Sequence, residues 1–196
     1  MRIFGVILAG GAGQRMGGTD KALLRLGTAS LLDLVRDRFA PQVEKLAISA
    51  NGDLGRFGNA LPVLPDAAAL GPLAGLLAAM GWAAQAGGDY LATCAVDTPY
   101  FPCDLVARLH LAMDVQGTQL ALARAERVHA TFGLWPVALQ VDLANFLASG
   151  ANPKVQDFAA IYPTAFAQFG DEAAFDNINT AADLARLAAQ IRQGVA

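Results

Sequence analysis

The chain is poor in cysteine, histidine and charged residues, and it carries no excess of positive charge. Its two cysteines, Cys94 and Cys103, are too few for a disulfide scaffold and lack the spacing of a metal or redox motif, which favours a reducing cytosol. The net charge of −3 argues against a nucleic-acid-binding protein, because such a surface needs clustered Lys and Arg. Any anion-binding site must therefore be local.

Charged residues make up 16% of the sequence and hydrophobic residues 55%, a balance that favours a sheet covered on both faces. The 196 residues suit one domain with a proper core, and no repeat, low-complexity linker or break in composition suggests a second domain. We therefore expect a single α/β domain over residues 1–196, with an open, mostly parallel sheet in three layers and helices on both faces.

Two stretches resemble secretory or membrane segments. Arg2 precedes an apolar run at residues 3–9, but this run is at the short limit of a signal peptide and passes straight into a glycine-rich loop. The uncharged span 67–88 approaches the length of a membrane helix, but it has small residues where a lipid-facing helix carries large ones. We expect a buried crossover helix there and a cytoplasmic location.

The pattern of apolar residues predicts alternating strands and helices. Apolar runs predict strands at residues 3–8, 43–50, 61–64, 90–96, 119–124 and 128–134. Helical spacing and prolines predict helices at residues 28–40, from 72, from 102, 138–147 and 154–161. Strand, helix and strand in this order imply right-handed parallel crossovers, so the early strands end at one edge of the sheet.

A glycine-rich loop at residues 8–21 directly follows the first predicted strand. Its glycines let the main chain adopt positive φ and approach a ligand closely, with N–H groups that donate to anionic oxygens. Arg15 and Lys21 add positive charge beside these donors. Such a loop at a strand's end is what a polyphosphate requires.

Two better-known phosphate loops do not match this stretch. The Walker pattern needs Gly-Lys followed by Ser or Thr, but Gly18 is followed by Thr19 and Asp20, and Lys21 comes too late. The dinucleotide fingerprint needs a third glycine where Met16 stands. A glycine-rich surface loop without a ligand would leave its charged residues unexplained.

The strings Leu8-Ala9-Gly10-Gly11, Arg15-Met16-Gly17-Gly18 and Asp20-Lys21 resemble the signature loop of molybdenum cofactor guanylyltransferases, which join GMP to molybdopterin. Cytidylyltransferases of the same superfamily share a looser version, usually with Ala in place of Gly11. The resemblance therefore implies a Rossmann-like nucleotidyltransferase fold, Mg²⁺ as cofactor, and guanine specificity that depends mostly on Gly11. It also implies that residues 8–11 and Lys21 bind the nucleotide.

Asn51 and Asp66 follow the next two predicted strands, at the same sheet edge as the glycine loop. Ordinary turn chemistry explains them equally well, because Asn and Asp favour such positions without any ligand. In the family, an Asn after the second strand and an Asp before Gly-Pro-Leu-x-Gly contact the nucleotide. Asn51, Asp66 and residues 71–75 resemble this pattern.

Asp97 follows the predicted strand at residues 90–96, at the carboxyl end of what we expect to be a central strand. A carboxylate in that crevice suits Mg²⁺, which usually needs only one or two protein carboxylates besides the substrate phosphates. The alternative is a turn or helix-capping Asp. The resemblance implies that Asp97 is the metal ligand and one of the nucleotide-binding residues. If Lys21 and Asp97 lay at opposite ends of the molecule, no triphosphate could contact both.

His129 and Thr131 are expected on the acceptor side, because the family commonly has His-Pro-Thr where this chain has His129-Ala130-Thr131. A histidine on a strand is more often structural, so that alternative stays open. Lys154 stands near the point where many relatives carry two arginines. It is expected to be a basic residue that faces the acceptor.

Asn177 and Asn179 resemble the family's Asn-x-Asn-Thr element, whose asparagines return to the active-site crevice, and both are expected on the acceptor side. The alternative is plain helix capping, which explains Thr180 but neither asparagine. We expect a nucleotide-binding half at about residues 1–101 and an acceptor-binding half at about residues 102–196.

The residues together predict the handling of a magnesium-bound nucleoside triphosphate. Attack at the γ-phosphorus would make a kinase or hydrolase, which typically use a P-loop or a kinase-type apparatus that this sequence lacks. Attack at the α-phosphorus makes a nucleotidyltransferase. The glycine loop, Arg15 and Lys21 would then stabilise the charge that develops on the phosphates, with no protein nucleophile.

We therefore expect transfer of GMP from GTP to the terminal phosphate of Mo-molybdopterin, with Arg15, Lys21 and Asp97 as the catalytic residues. The nearest alternatives are a molybdenum cofactor cytidylyltransferase and a sugar-phosphate nucleotidylyltransferase. An alternative of another class is a non-catalytic GTP-binding or molybdenum cofactor carrier module. Transient contacts with cofactor biosynthesis proteins or apoenzymes are expected, but contacts with nucleic acid or membrane are not.

Overall fold

The computed structural model describes residues 1–10, 20–58, 61–66, 71–150, 154–180 and 182–186. Gly11 and Arg15 of the predicted site lie outside these residues. The strands of the described part are β1 (Ile3–Leu8), β2 (Arg25–Leu26), β3 (Ala29–Ser30), β4 (Lys45–Ser49), β5 (Val63–Leu64), β6 (Tyr90–Ala95), β7 (Leu120–Arg124), β8 (Val128–Pro136) and β9 (Thr164–Gln168). Its α-helices are α1 (Leu31–Phe39), α2 (Pro72–Gln85), α3 (Leu105–Gln116), α4 (Gln140–Ala148) and α5 (Val155–Ala159).

Seven of these strands form one sheet in the order β5-β4-β1-β6-β8-β7-β9, and β2 and β3 form a separate hairpin. Only β8 runs against the others in this sheet, because it pairs antiparallel with both β6 and β7 whereas β9 pairs parallel with β7. The expected mostly parallel α/β sheet is therefore confirmed. Its parallel half, formed by β5, β4, β1 and β6, comes from the first part of the chain.

Helices cover both faces of the sheet, which makes the three layers that the composition predicts. Successive strand residues point to opposite faces, so β1 sends Phe4 and Val6 to one core and Ile7 to the other. The core around Ile7 includes residues of α1 and α3. The core around Phe4 includes residues of α2, α4 and α5.

Helix α2 is the buried crossover expected in the uncharged span, and it connects β5 to β6. It has 14 residues, begins with Pro72 after Gly71, and buries Leu73, Leu76 and Met80 against the sheet. Among the described residues, no helix is both long enough and apolar enough to cross a membrane.

The structure differs most from the sequence prediction at three places, and the other predicted elements differ by at most two residues at their ends. Helix α1 begins at Leu31 and not at residue 28, because Ser30 and Asp33 form a capping box and the preceding residues pair as the β2–β3 hairpin around Gly27, whose φ is +65°. Helix α3 begins at Leu105, three residues after Pro102. Strand β9 was not predicted.

Candidate active site

Four predicted site residues lie side by side at the carboxyl edge of the parallel strands. Leu64, Ser49, Leu8 and Ala95 are register partners across β5, β4, β1 and β6. The residues two positions later along the chain are Asp66, Asn51, Gly10 and Asp97. Parallel pairing therefore brings together residues that are far apart in sequence, as the sequence analysis predicted.

Asn51 and Asp66 are hydrogen-bonded to each other at one end of this row. The Asn51 amide donates to the Asp66 carboxylate, and the Asp66 backbone N–H donates to Asn51 Oδ1 over 3.0 Å. Gly10 lies beside them, since a Cβ at this position would be 3.5 Å from Asp66 Oδ2. The two side chains are thus ordered by each other next to the start of the glycine loop.

Lys21 and Asp97 form an ion pair at the other end of the row. Lys21 Nζ lies 2.9 Å from Asp97 Oδ2, and 27% of the Lys21 side chain and 20% of the Asp97 side chain are exposed. Asp20 fixes the backbone at this point, because its Oδ1 accepts the Ala22 N–H over 2.9 Å at the start of a short 3-10 helix. The sequence prediction that Lys21 and Asp97 meet is confirmed.

Asn177 and Asn179 both return to this point, as the family resemblance implied. Asn179 Oδ1 accepts a 2.6 Å hydrogen bond from Lys21 Nζ, and Asn177 Oδ1 accepts one of 2.6 Å from Thr98 Oγ1. Between them, the Ile178 N–H donates to the Asp97 carbonyl over 2.7 Å. Residues 177–179 therefore form a strap across the end of β6. Thr180 caps the helical residues 182–186, since its Oγ1 accepts the Asp183 N–H.

Sequence reasoning missed two residues that order this site. Thr98 is fully buried and holds Asn177; the only signal was a threonine directly after Asp97. Arg56 donates from its Nε to Asp20 Oδ2 and stacks on Phe57, with 4.2 Å between its Cζ and the ring centroid. Arg56 therefore ties the end of the glycine loop to the segment after β4, and no sequence motif marked it.

A cavity of about 560 Å³ lies beside the strap. Four of the five residues expected on the acceptor side line it: His129, Thr131, Lys154 and Asn177. The fifth, Asn179, contacts Lys21 instead. Gly71 and Pro72 at the amino end of α2 form another wall, so the positive end of a 14-residue helix faces the cavity.

The wall that carries Thr131 is an irregularity in β8. Leu122 pairs with Gly133 and the next residue, Ala123, pairs with His129, so residues 130–132 of β8 have no partners on β7. All three line the cavity. Bulges of this kind re-aim side chains beside active sites, and here the bulge gives Thr131 its place in the wall.

A family model described as the MobA-like NTP transferase domain matches residues 5–161, which is most of the chain. The chain belongs to this family of nucleotidyltransferases. It is therefore an enzyme, and the family predicted from residues 8–21 is confirmed.

Several curated relatives of this MobA-like transferase are named molybdenum cofactor guanylyltransferase. The protein from Cereibacter sphaeroides is 54% identical over 194 residues, 98% of this chain and 99% of the relative. The protein from Rhodopseudomonas palustris is 46% identical over 188 residues, 92% of this chain and 88% of the relative. These relatives associate the chain with molybdenum cofactor biosynthesis.

Solved structures share the fold at low sequence identity. Molybdopterin-guanine dinucleotide biosynthesis protein A from Archaeoglobus fulgidus superposes with a TM-score of 0.77 at 18% identity, covering 97% of this chain and 99% of that one. A 4-diphosphocytidyl-2C-methyl-D-erythritol synthase from Anaerococcus prevotii gives 0.75 at 11% identity, covering 97% and 96%. The single-domain nucleotidyltransferase fold is thus shared by enzymes with different names.

Proposed function

We propose that this MobA-like transferase moves GMP from GTP to the terminal phosphate of Mo-molybdopterin, forming the guanine dinucleotide cofactor and pyrophosphate. The observation that carries the proposal is the 2.9 Å contact between Lys21 Nζ and Asp97 Oδ2 at the carboxyl edge of the sheet. A cation and a carboxylate at one point suit a metal-bound triphosphate. The names of the curated relatives support GTP and molybdopterin as the substrates.

In this proposal the row of strand ends binds the nucleotide. Leu8, Ala9 and Gly10 bring the main chain to the ligand, while Asn51 and Asp66 offer ordered polar groups to the nucleoside. Lys21 stabilises the negative charge that grows on the α-phosphate and on the leaving pyrophosphate. The two residues outside the described ranges, Gly11 and Arg15, complete the loop and add the second positive charge.

Asp97 fits a magnesium ion by the chemistry of its donor atoms. In the described part of the chain, no group of three or more His, Cys, Asp or Glu side chains could hold a metal on its own. A single carboxylate is sufficient for Mg²⁺, because the substrate phosphates and water supply the other oxygens. When bound, Mg²⁺ would neutralise phosphate charge and align the reacting groups.

Direct transfer without a covalent enzyme intermediate fits this site. The Cys94 thiol is fully buried, and burial raises its pKa well above the ordinary value, so it is not a nucleophile. A lysine and a carboxylate instead favour attack on the α-phosphorus by the acceptor's own phosphate. That phosphate would lie in the 560 Å³ cavity, where His129, Thr131, Lys154 and Asn177 contact it, while Asn179 keeps Lys21 in place.

A panel of triphosphates tests the proposed reaction. The protein is incubated with each of GTP, CTP, ATP and UTP, without an acceptor, with Mo-molybdopterin or with a sugar phosphate, and pyrophosphate release and GTP binding are measured. We expect pyrophosphate release with GTP only, and only when Mo-molybdopterin is present. Release with CTP would indicate the cytidylyl variant, and release with a sugar phosphate as acceptor would indicate a sugar-nucleotide enzyme. GTP binding without release would indicate a carrier module.

Variants of the ion pair test the assigned roles. Lys21→Ala and Asp97→Ala are each expected to lower turnover by about a hundredfold or more, because each removes a group that stabilises the transition state. Lys45→Ala is a matched control, since Lys45 begins β4 at the opposite sheet edge. Turnover of the Lys21 or Asp97 variant within about a few-fold of the parent would contradict the assignment.

A further inference from the structure

The Glu172 carboxylate contacts three groups of the β7–β8 hairpin: the Glu126 backbone N–H, the Arg127 guanidinium and the His129 ring. Its Oε2 accepts the Glu126 backbone N–H over 3.0 Å and lies 3.1 Å from His129 Nε2. Its Oε1 forms an ion pair with Arg127 Nε over 2.8 Å, but this buried oxygen accepts no hydrogen bond from the described residues. A carboxylate only accepts hydrogen bonds, so His129 bears a proton on Nε2 in this contact.

The surroundings keep this carboxylate ionised and partly shielded from water. Desolvation by burial raises the pKa of Glu172, but hydrogen bonds from His129 and from the backbone of Glu126 and Arg127 outweigh that effect, so the pKa lies below its ordinary value. Only 21% of the Glu172 side chain and 7% of the His129 side chain are exposed. The Glu172 charge is therefore present at neutral pH.

The Phe175 ring packs against the face of the His129 ring. The two rings are stacked with centroids 4.4 Å apart and an interplanar angle of 17°. The Phe175 N–H donates to the Glu172 carbonyl over 3.0 Å, so both residues belong to one short turn. His129 is thus fixed at its edge by Glu172 and at its face by Phe175.

This cluster fixes one wall of the cavity beside the strap. Arg127, His129 and Phe175 all line the cavity, and His129 is the last paired residue before the unpaired residues 130–132. The chain then continues from Phe175 to Asn177, which also lines the cavity. A displacement at Glu172 would therefore move both the β8 wall and the start of the strap.

We propose that Glu172 is a positioning residue for the anionic acceptor, acting through Arg127 and His129. The proposal rests on the proposed function, which places a phosphate-bearing acceptor in this cavity. Arg127 is 68% exposed, so without its partner the guanidinium would sample many conformations. The ion pair with Glu172 keeps the guanidinium beside the cavity, where its N–H groups can donate to an anion.

The opposite expectation is that Glu172 merely neutralises Arg127 and competes with the acceptor for it. The two expectations differ in sign, so one substitution separates them. Glu172→Gln keeps the size of the side chain and removes its charge. If Glu172 positions Arg127, this variant binds the acceptor more weakly; if Glu172 competes with the acceptor, the variant binds it more tightly.

The test measures KM for Mo-molybdopterin and for GTP, and the Kd of metal-free molybdopterin by fluorescence quenching without GTP. For Glu172→Gln we expect an increase of about tenfold in acceptor KM and in Kd, as for the loss of one hydrogen bond to a charged group, with GTP KM within about twofold of the parent. Glu172→Asp should recover part of the loss. Glu126→Gln is the matched control, because its exposed side chain makes none of the hydrogen bonds or ion pairs found among the described residues.

Arg127→Gln changes an exposed side chain and tests the same idea without a risk to folding. It should raise acceptor KM by about as much, and the double variant with Glu172→Gln should be no worse than the poorer single variant, because coupled residues are not additive. An unchanged or lowered acceptor KM and Kd in either variant, or additive effects, would overturn the proposal. A parent that releases no pyrophosphate would refute the proposed function alone, because the molybdopterin titration would still decide the role of Glu172.

Discussion

Replacing Gly75 with alanine would place a methyl group where helix α2 touches the carboxyl end of the sheet. A Cβ built on Gly75 lies 2.4 Å from Ser49 Oγ and 3.2 Å from both Ser49 Cβ and Leu8 Cδ2. Ser49 is 1% exposed and belongs to β4, so its side chain has little room to retreat. The helix would have to move away from the strands whose ends carry Gly10 and Asn51.

Two opposing effects set the size of the change in stability. An alanine within a helix is better than a glycine by about 1 kcal/mol. Forcing an extra methyl group into a packed core costs about 1–3 kcal/mol. Because the contact at Gly75 is far shorter than van der Waals distance, we expect the packing cost to prevail and the net loss to be about 1 kcal/mol.

Gly81 on the same helix provides the matched control. The atom nearest to a Cβ built on Gly81 is Gln140 Nε2, 3.2 Å away at the far end of a flexible side chain. Gly81→Ala should therefore be more stable than the parent. In thermal unfolding we expect the Tm of Gly75→Ala to lie about 2–4 °C below that of the parent, and the Tm of Gly81→Ala to lie above it by a similar amount. Adding Ser49→Ala should recover much of the loss at Gly75. A Gly75→Ala variant as stable as Gly81→Ala would refute this reasoning.

Two further predictions concern a buried hydroxyl and a tyrosine. Thr98→Val removes the hydrogen bond to Asn177 without changing the shape of the side chain, so acceptor KM should rise several-fold, roughly as for one lost hydrogen bond. Thr98→Ser keeps the hydroxyl and should resemble the parent. Equal acceptor KM values for the two variants would contradict the role of the strap. Desolvation by burial, with the hydrogen bond to Asp142, raises the pKa of Tyr162 to about 12 from 10.0. The stability carried by the neutral phenol is thus fully present below pH 10 and lost as the pH rises through about 12. Asp142→Asn should lower the midpoint of that tyrosine in an absorbance titration; an unchanged midpoint would contradict this cause.

The row of site residues was predictable because it depends on local patterns and one topological rule. Apolar runs that end in polar turn residues mark the strands before Gly10, Asn51, Asp66 and Asp97. Right-handed parallel crossovers then bring these ends to one edge. The contact between Lys21 and Asp97 follows from that edge even though 76 residues separate them.

Strand β9 and the residues that order the site could not be found in the same way. The sequence Thr-Ala-Phe-Ala-Gln of β9 has two alanines, which favour strands weakly, and the strand exists because it pairs with β7. Glu172 is 43 residues from His129, and Arg56 is 36 from Asp20. Charged pairs at such distances leave no periodic signal in a single sequence.

The most direct test of the central claim is a crystal structure of the protein with Mn²⁺ and a GTP analogue that cannot be cleaved between the α- and β-phosphates. We expect Lys21 Nζ to donate to a phosphate oxygen, and the anomalous peak of Mn²⁺ to lie within ligand distance of both the Asp97 carboxylate and the same triphosphate. A triphosphate bound out of reach of either side chain would rule out the proposed site.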